Sequence, residues 1–376
     1  MLLDHPGRKY QQVYEALHRG IVSGRLRPGE RLPSEAELVK QFGTSRITVG
    51  RAMRELQHEG LVERRAGSGT FVRTTGKTDS TGQVFGLLIP DLGETEIFEP
   101  ICQGMMRSSQ ARQHVLLWGD LDESADSKGE GAWALCQQYI ARRVAGVFFA
   151  PLEHIPERDE FNRRIADAFD EARIPLVLLD RAVVPWPRRG NHDLVGLDNR
   201  RAGYTITEHV LRLGCRRLAF VARPDAASTV DARVAGWREA LFVYGAAADA
   251  DLVQRIDPAD DRRVDELMLR IRPEAIVCAN DRTAAQLMQT LFGLGCAVPR
   301  DIRLVGIDDV QYASLLPVPL TTLRQPCREL GAAAMAAMLD RLAHPSLPPR
   351  DIMLHGALIV RRSCGAQLTR PEPPAV

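Results

Sequence analysis

A chain of 376 residues is longer than one small domain and suits two or three compact units. With 45% hydrophobic and 26% charged residues it is composed as an ordinary globular protein, and it lacks the run of about 18 apolar residues that a membrane helix needs. The net charge of +1 hides an asymmetry: residues 1–75 hold 13 Lys+Arg against 8 Asp+Glu, and the remainder 36 against 40, so a polyanion partner is expected at the N-terminal end.

The opening MLLDHPGRKYQQ has no apolar stretch, so no signal peptide is expected. Seven cysteines (Cys102, Cys136, Cys215, Cys278, Cys296, Cys327, Cys364) are scattered and form no CxxC pair. Reduced thiols in a cytoplasmic protein are expected, with no disulfide framework, metal site or cofactor.

In chain order, Val13, Leu17 and Ile21 share one face of a first helix ending at Gly24. RLRPGERL (25–32) is a turn. A second helix starts at Ser34, with Glu37 three residues on completing a capping box, and Gly43 breaks it. Thr44 or Ser45 caps a third helix whose buried stripe is Val49, Ala52, Met53 and Leu56, and which Gly60 closes. LVERR and GTFV then read as two short strands joined by Ala66-Gly67-Ser68-Gly69, a hairpin wing.

Two helices across a tight turn followed by a hairpin make a winged helix-turn-helix, in which the second helix lays its N-terminal side chains into a major groove. That end carries Ser45, Arg46 and Thr48, then Arg51. Arg46 can fork onto guanine or a phosphate, and the hydroxyls suit phosphate oxygens or base edges. Arg64 and Arg65 and the wing glycines can approach phosphates or the minor groove, and Ser34 at the second helix start joins the candidate set. For any single arginine, a solvated face of a structural helix is the competing reading. The whole segment LPSEAELVKQFGTSRITVGRAMRELQHEGLVERRAGSGTFV (32–72) resembles the GntR family of bacterial regulators, with the match spanning about residues 9–73. The resemblance implies that Ser45, Arg46, Thr48 and the wing Gly67, Ser68 and Gly69 contact operator DNA from a dimer. Ala36 and Gly50 stand where many members carry arginine, so an operator sequence is not carried over.

The polar run TTGKTDSTGQ (74–83) reads as a linker. Beyond it, β-branched runs alternate with amphipathic stretches, the rhythm of a parallel α/β sheet. The strands are expected at VFGLLI (84–89), HVLLWG (114–119), VAGVFFA (144–150), PLVLLD (175–180), RLAFVA (217–222), AIVCAN (275–280) and RLVGID (303–308). Ligands of such sheets bind beyond the carboxyl ends of the strands. Asp180, Arg181, Asn280, Asp281 and Asp308 cluster there, Gln325 follows the crossing between lobes, and Arg233 opens a helix. Carboxylates that accept from paired hydroxyls, guanidinium forks and an apolar face suit a sugar; Phe98 is the candidate face. Asp281 and Asp308 can equally be turn or N-cap residues, and Phe98 can be core.

The ordered phrases VFGLLIPDL, IPLVLLDR, GLDNRRAGYTITEHVLRLGCRRLAFV, DARVAGWREAL, AIVCANDRTAAQLM and RLVGIDDVQYASLLPVPLTTLRQP resemble the two-lobed sensor of LacI-type regulators and periplasmic sugar-binding proteins. The resemblance implies a periplasmic-binding-protein type I fold over 84–363, with lobe 1 at 84–197 and 325–347 and lobe 2 at 198–322 and 350–363. It follows a winged-helix domain at 1–75 and a linker at 76–83, and precedes a flexible tail at 364–376. It places Phe98, Asp180, Arg181, Arg233, Asn280, Asp308 and Gln325 on ligand contacts of ribose-type binding proteins, and Asp281 on one of the LacI type. A second stacking aromatic is missing around Asp257–Asp261. The expected whole is a homodimeric regulator, a repressor, that binds double-stranded operator DNA under control of a small effector, a neutral sugar or polyol before a phosphorylated one. A solute-binding protein and a regulator responding to another ligand are the alternatives. An enzyme is not expected, since there is no GxSxG, P-loop or metal-ligand cluster.

Overall fold

The computed structural model describes residues 6–22, 25–26, 29–58, 61–65, 69–72, 82–90, 96–108, 111, 113–119 and 127–368. The chain divides into two compact units, residues 1–81 and 82–376.

In the first unit, α1 (Pro6–Val22), α2 (Glu35–Phe42) and α3 (Arg46–His58) precede a hairpin of β1 (Val62–Arg65) and β2 (Gly69–Val72), paired from Val62↔Val72 to Arg65↔Gly69. The described part of α1 ends at Val22, short of the expected Gly24. The capping box forms: the Ser34 hydroxyl accepts from the Glu37 N–H at 3.3 Å, and the Glu37 carboxylate accepts from the Ser34 N–H at 2.7 Å. Gly43 closes α2 at φ +56°, a left-handed conformation that favours glycine. The helical stripes meet as one core of Val13, Leu17, Leu38, Val49, Ala52, Met53 and Leu56, which the hairpin seals with Val62 and Val72.

The second unit holds two six-stranded sheets. Lobe 1 contains β3 (Val84–Leu88), α4 (Phe98–Arg107), β4 (Val115–Trp118), α5 (Lys128–Ala141), β5 (Gly146–Phe149), α6 (Arg158–Glu171), β6 (Leu176–Leu179) and β7 (Asp193–Leu197). The chain then crosses into lobe 2: α7 (Asn199–Arg212), β8 (Leu218–Ala222), α8 (Ser228–Val243), β9 (Val253–Arg255), α9 (Asp261–Ile271), β10 (Ala275–Cys278), α10 (Asp281–Gly293), β11 (Arg303–Asp308) and β12 (Thr321–Arg324). It returns to lobe 1 for α11 (Cys327–Ala343) and β13 (Asp351–Leu354), and ends in lobe 2 with β14 (Ala357–Ile359). The sheet orders are β13-β7-β6-β5-β3-β4 and β14-β12-β11-β10-β8-β9, parallel throughout except where β14 runs against β12. Strands such as Val147, Phe148 and Phe149 are buried at every position, as a parallel sheet covered on both faces requires.

Two boundaries differ from expectation. Residues 351–354 belong to lobe 1, because β13 pairs with β7 from Asp351↔Leu194 to Leu354↔Leu197. Buried Asp193 fixes this corner by accepting from Arg341 at 2.9 Å and from the Arg350 N–H at 2.7 Å. The expected flexible tail is also packed at its start: Cys364 is fully buried in the lobe 2 core, and the Ser363 hydroxyl donates to the Leu304 carbonyl. Among the described residues, no helix is long and apolar enough to cross a membrane.

Candidate functional site

At the N-terminus of α3, Ser45 is the cap: its hydroxyl accepts from the Thr48 N–H at 3.2 Å and lies 2.8 Å from the Thr48 hydroxyl. Ser34 is likewise engaged in capping α2. Arg46 leaves its side chain 80% exposed, 3.5 Å from the Glu35 carboxylate. Arg51 lies on another face, its guanidinium 4.8 Å above the Tyr10 ring. Between Arg46 and Thr48, Ile47 is 82% exposed, an apolar side chain at the reading end that the sequence reading passed over. In the wing, Arg64 and Arg65 fall in β1 and Gly69 opens β2 at φ +116°; Gly67 and Ser68 lie outside the described residues.

In the second unit a cavity of about 790 Å³ lies between the lobes, lined by strand ends and helix starts of both. Of the eight expected ligand residues, Asp180, Arg181, Arg233, Asn280 and Asp308 line it, while Phe98, Asp281 and Gln325 do not. Lobe 1 contributes Asp180 and Arg181 just past β6. Arg181 is buried and donates to the Pro151 carbonyl at 2.6 Å, pairs with Glu153 at 2.6 Å and approaches Asp180 at 3.5 Å. Lobe 2 contributes Arg233, whose guanidinium donates to Asn199 Oδ1 at 2.7 Å and to the Ala279 carbonyl at 2.5 Å and stands 3.7 Å from Asp308. Asn280 caps α10, accepting from the Thr283 N–H at 2.8 Å.

Asp180 and Asp308 occupy matching strand ends and both hold positive φ, +67° and +129°. Such backbone costs about 1–3 kcal/mol and persists where surrounding structure imposes it, commonly at ligand sites. Burial pushes the Asp180 carboxyl upward against the opposing pull of Arg181 and Arg233. Burial likewise raises Asp308 to about 6, opposed by Arg233 and Gln325 and reinforced by Asp180 and Glu153. Glu153 is held low: burial acts to raise it, but Arg181 outweighs that with help from His154 and the Ala227 N–H. Asp180 Oδ1 is buried with no hydrogen-bond partner among the described residues, and so is Oε1 of Gln286, another lining residue. Unpaired buried acceptors are costly, and a ligand that brings hydroxyl donors satisfies them.

The three residues off the cavity have other work. Phe98 is fully buried in the lobe 1 core, with the Arg181 guanidinium 5.7 Å over its ring; its neighbour Ile97 lines the cavity instead. Asp281 is 0% exposed; it accepts from the Thr322 hydroxyl at 2.6 Å and the Val310 N–H at 3.1 Å, tying α10 to β12 and to the segment after β11. Gln325 donates to Asp308 at 2.6 Å and opens onto an adjoining cavity beside the lobe crossings.

Away from those crossings, the lobes also touch directly. The His154 N–H donates to the Asp225 carbonyl at 3.0 Å, and Arg158 donates to the carbonyls of Asp225 and of Ala226, the latter at 2.8 Å.

Two family models match: bacterial regulatory proteins of the gntR family over residues 9–72, and the periplasmic binding protein-like domain over residues 207–364. The chain joins a GntR-type DNA-binding domain to a periplasmic-binding-protein-like sensor. It is 27% identical over 367 residues to the arabinose metabolism transcriptional repressor of Geobacillus stearothermophilus, covering 94% of this chain and 97% of that one. It is 26% identical over 273 residues to the ribose operon repressor of Escherichia coli K12, covering 71% and 78%. Among solved structures, the transcription regulator GntR from Chromobacterium violaceum superposes with a TM-score of 0.58 at 27% identity, covering 75% of this chain and 98% of that one.

Within the sensor, the sequence reading missed Glu153, Gln286, Ile97 and Tyr312, all lining the cavity. Glu153 carried the same signal as Asp180, an acid beyond a strand end, but four residues past Phe149 and behind a proline. Gln286 sits on the second turn of α10 and Tyr312 in a short 3-10 turn (Gln311–Ser314), where no strand-end rule points.

Proposed function

We propose that this protein is a sugar-responsive transcription repressor that holds a pseudo-palindromic operator as a homodimer through α3 and the wing. One recognition helix reads too few base pairs to be selective alone, and two-fold half-sites supply the rest. Arg46, Ile47 and Thr48 form the reading edge, with Ser45 setting its geometry.

The observation that carries the sensor reading is the pair of strand-end aspartates, Asp180 and Asp308, facing one cavity from opposite lobes beside buried Arg181 and Arg233. Around the cavity four carboxylates (Glu96, Glu153, Asp180, Asp308) face five cations (Lys128, Arg181, Arg223, Arg233, Arg282), close to balance, and Asp180 Oδ1 and Gln286 Oε1 have no hydrogen-bond partner among the described residues. That composition favours a neutral, hydroxyl-rich ligand over an anionic one. The relatives named as arabinose and ribose repressors support the same class. A ligand that bridges the lobes shifts the protein toward closure by its differential affinity for the closed form.

The test is a thermal-shift screen of the full chain with neutral pentoses and hexoses, their phosphates and aromatic acids. A neutral sugar should raise the melting temperature and alter operator affinity in a gel shift. A response confined to phosphorylated or aromatic compounds overturns the sugar reading, and a monomer at micromolar concentration overturns the dimer.

A further inference from the structure

A sugar site needs an apolar platform for the C–H face of the ring, and neither expected source supplies it. Phe98 is sealed in the lobe 1 core, and no aromatic occurs around Asp257–Asp261. Among the described residues that line the cavity, Tyr312 is the one Phe, Tyr or Trp. The stretches 91–95 (DLGET) and 120–126 (DLDESAD), which lie outside the described residues, contain no aromatic residue.

We infer that Tyr312 is the stacking platform of the sensor, and that its ligand is a ring-form saccharide held with one C–H face on the Tyr312 ring and its hydroxyl edge toward Asp180, Arg233 and Asp308. The inference deepens the sugar reading above and rests on it.

The local structure suits a platform. Tyr312 follows β11, whose last residue is Asp308, so ring and carboxylate are set by one strand end. Its backbone is pinned: its carbonyl accepts from the Leu315 and Leu316 N–H groups at 2.8 and 3.1 Å, and Asp281 holds the adjacent Val310 N–H at 3.1 Å. A tyrosine fixed in this way offers a flat apolar area at little cost in side-chain freedom. Val310 beside it and Ile97 from lobe 1 extend the apolar lining. The phenol stays protonated, since burial raises it well above its ordinary value and Glu96, Asp281 and Asp308 add to this against Arg282. It makes no hydrogen bond to a described residue, which leaves it free to donate to a ring or hydroxyl oxygen. The role was invisible in sequence because it depends on where a 3-10 turn sets one side chain.

The experiment is calorimetric titration of the full chain and its Tyr312→Phe and Tyr312→Ala variants with L-arabinose and D-ribose, and with the acyclic L-arabinitol and ribitol. Unliganded melting temperatures of all three proteins establish that each is folded. Tyr312→Phe should stay within about twofold of wild type for the ring sugar that binds, while Tyr312→Ala should weaken it by roughly 3- to 12-fold, as expected for losing an aromatic contact. The alditols, which lack a rigid C–H face, should show a smaller change. Equal affinity of wild type and Tyr312→Ala for the ring sugar overturns the platform and leaves the sugar reading standing. Equal loss in Tyr312→Phe and Tyr312→Ala assigns the contact to the hydroxyl and overturns it too. If wild type binds no saccharide, the sugar reading falls and this inference with it.

Discussion

Substituting Gly203 with alanine tests how lobe 2 holds Arg233, the arginine proposed to grip the ligand. Helices α7 and α8 pack backbone to backbone: a Cβ on Gly203 would lie 2.0 Å from the Arg233 carbonyl oxygen, and one on Gly236 would lie 1.8 Å from that of Arg200. Ordinary contact begins near 3.4 Å, so α8 must retreat from α7 by about 1.4 Å at the residue that carries the guanidinium. Arg233 Nε donates to Asn199 at the start of α7 at 2.7 Å, and a rigid retreat of that size breaks the bond. Forcing a methyl into a packed contact costs about 1–3 kcal/mol, and a hydrogen bond to a charged group is worth about 1.5–3 kcal/mol. Without the clash, alanine would stabilise the helix by up to about 1 kcal/mol, so the sign of the change is itself diagnostic. Gly203→Ala should lower the melting temperature by roughly 2–10 °C and weaken effector binding at least about tenfold. Gly104→Ala is the control: its Cβ would meet the Arg328 carbonyl at 2.1 Å between α4 and α11 in lobe 1. It should cost similar stability with a smaller effect on effector affinity. Calorimetry and ligand titration read both quantities, and a Gly203→Ala protein with wild-type melting temperature and affinity refutes the reasoning.

Arg233→Ala should bind operator as wild type does in the absence of effector and fail to respond to it. At effector about 100 times the wild-type Kd it should lack most of the ~2.7 kcal/mol stabilisation that wild type gains, and a full response in a gel shift would contradict this. Arg46→Ala should lose about 1–3 kcal/mol of specific operator affinity if the side chain reads a base; unchanged binding across a salt series removes Arg46 from the reading surface. Asp308 is raised in the folded protein to about 6 from an ordinary 3.8, so the folded state binds the extra proton, and its contribution to stability grows as pH falls from about 6 toward 4 and is lost as pH rises. Asp308→Asn should therefore raise the melting temperature more at pH 7.5 than at pH 5 while weakening effector binding; equal shifts at both pH values count against a buried, strained carboxylate.

Much of this was legible along the chain because it rests on local chemistry. The Ser34–Glu37 capping box, the left-handed Gly43 and the α3 stripe of Val49, Ala52, Met53 and Leu56 are decided within a few residues of one another, and the structure forms all of them. The seven expected strands also form, since a run such as Gly146–Phe149 that is apolar at every position is stable only between two covering layers. Rules about strand ends brought Asp180, Arg181, Asn280 and Asp308 to one cavity, and that much of the site follows from α/β topology.

Tertiary structure decided what each side chain meets. Phe98 and Ile97 are adjacent in sequence and share the lobe 1 core, and only the packing of α4 determined that the phenylalanine is sealed there while the isoleucine also reaches the cavity wall. Asp281 follows Asn280 directly, yet the close approach of Thr322 and Val310 turned it into a strut. Residues 351–354 joined lobe 1 because pairing with β7 and the buried Asp193 corner fixed them there, a long-range partnership that no local periodicity encodes. The sequence by itself determined which elements form and which ends of the sheets carry polar chemistry, because those depend on neighbours a few residues away. Which of those groups face the cavity is a matter of contacts between residues far apart in the chain, and only the folded structure sets them.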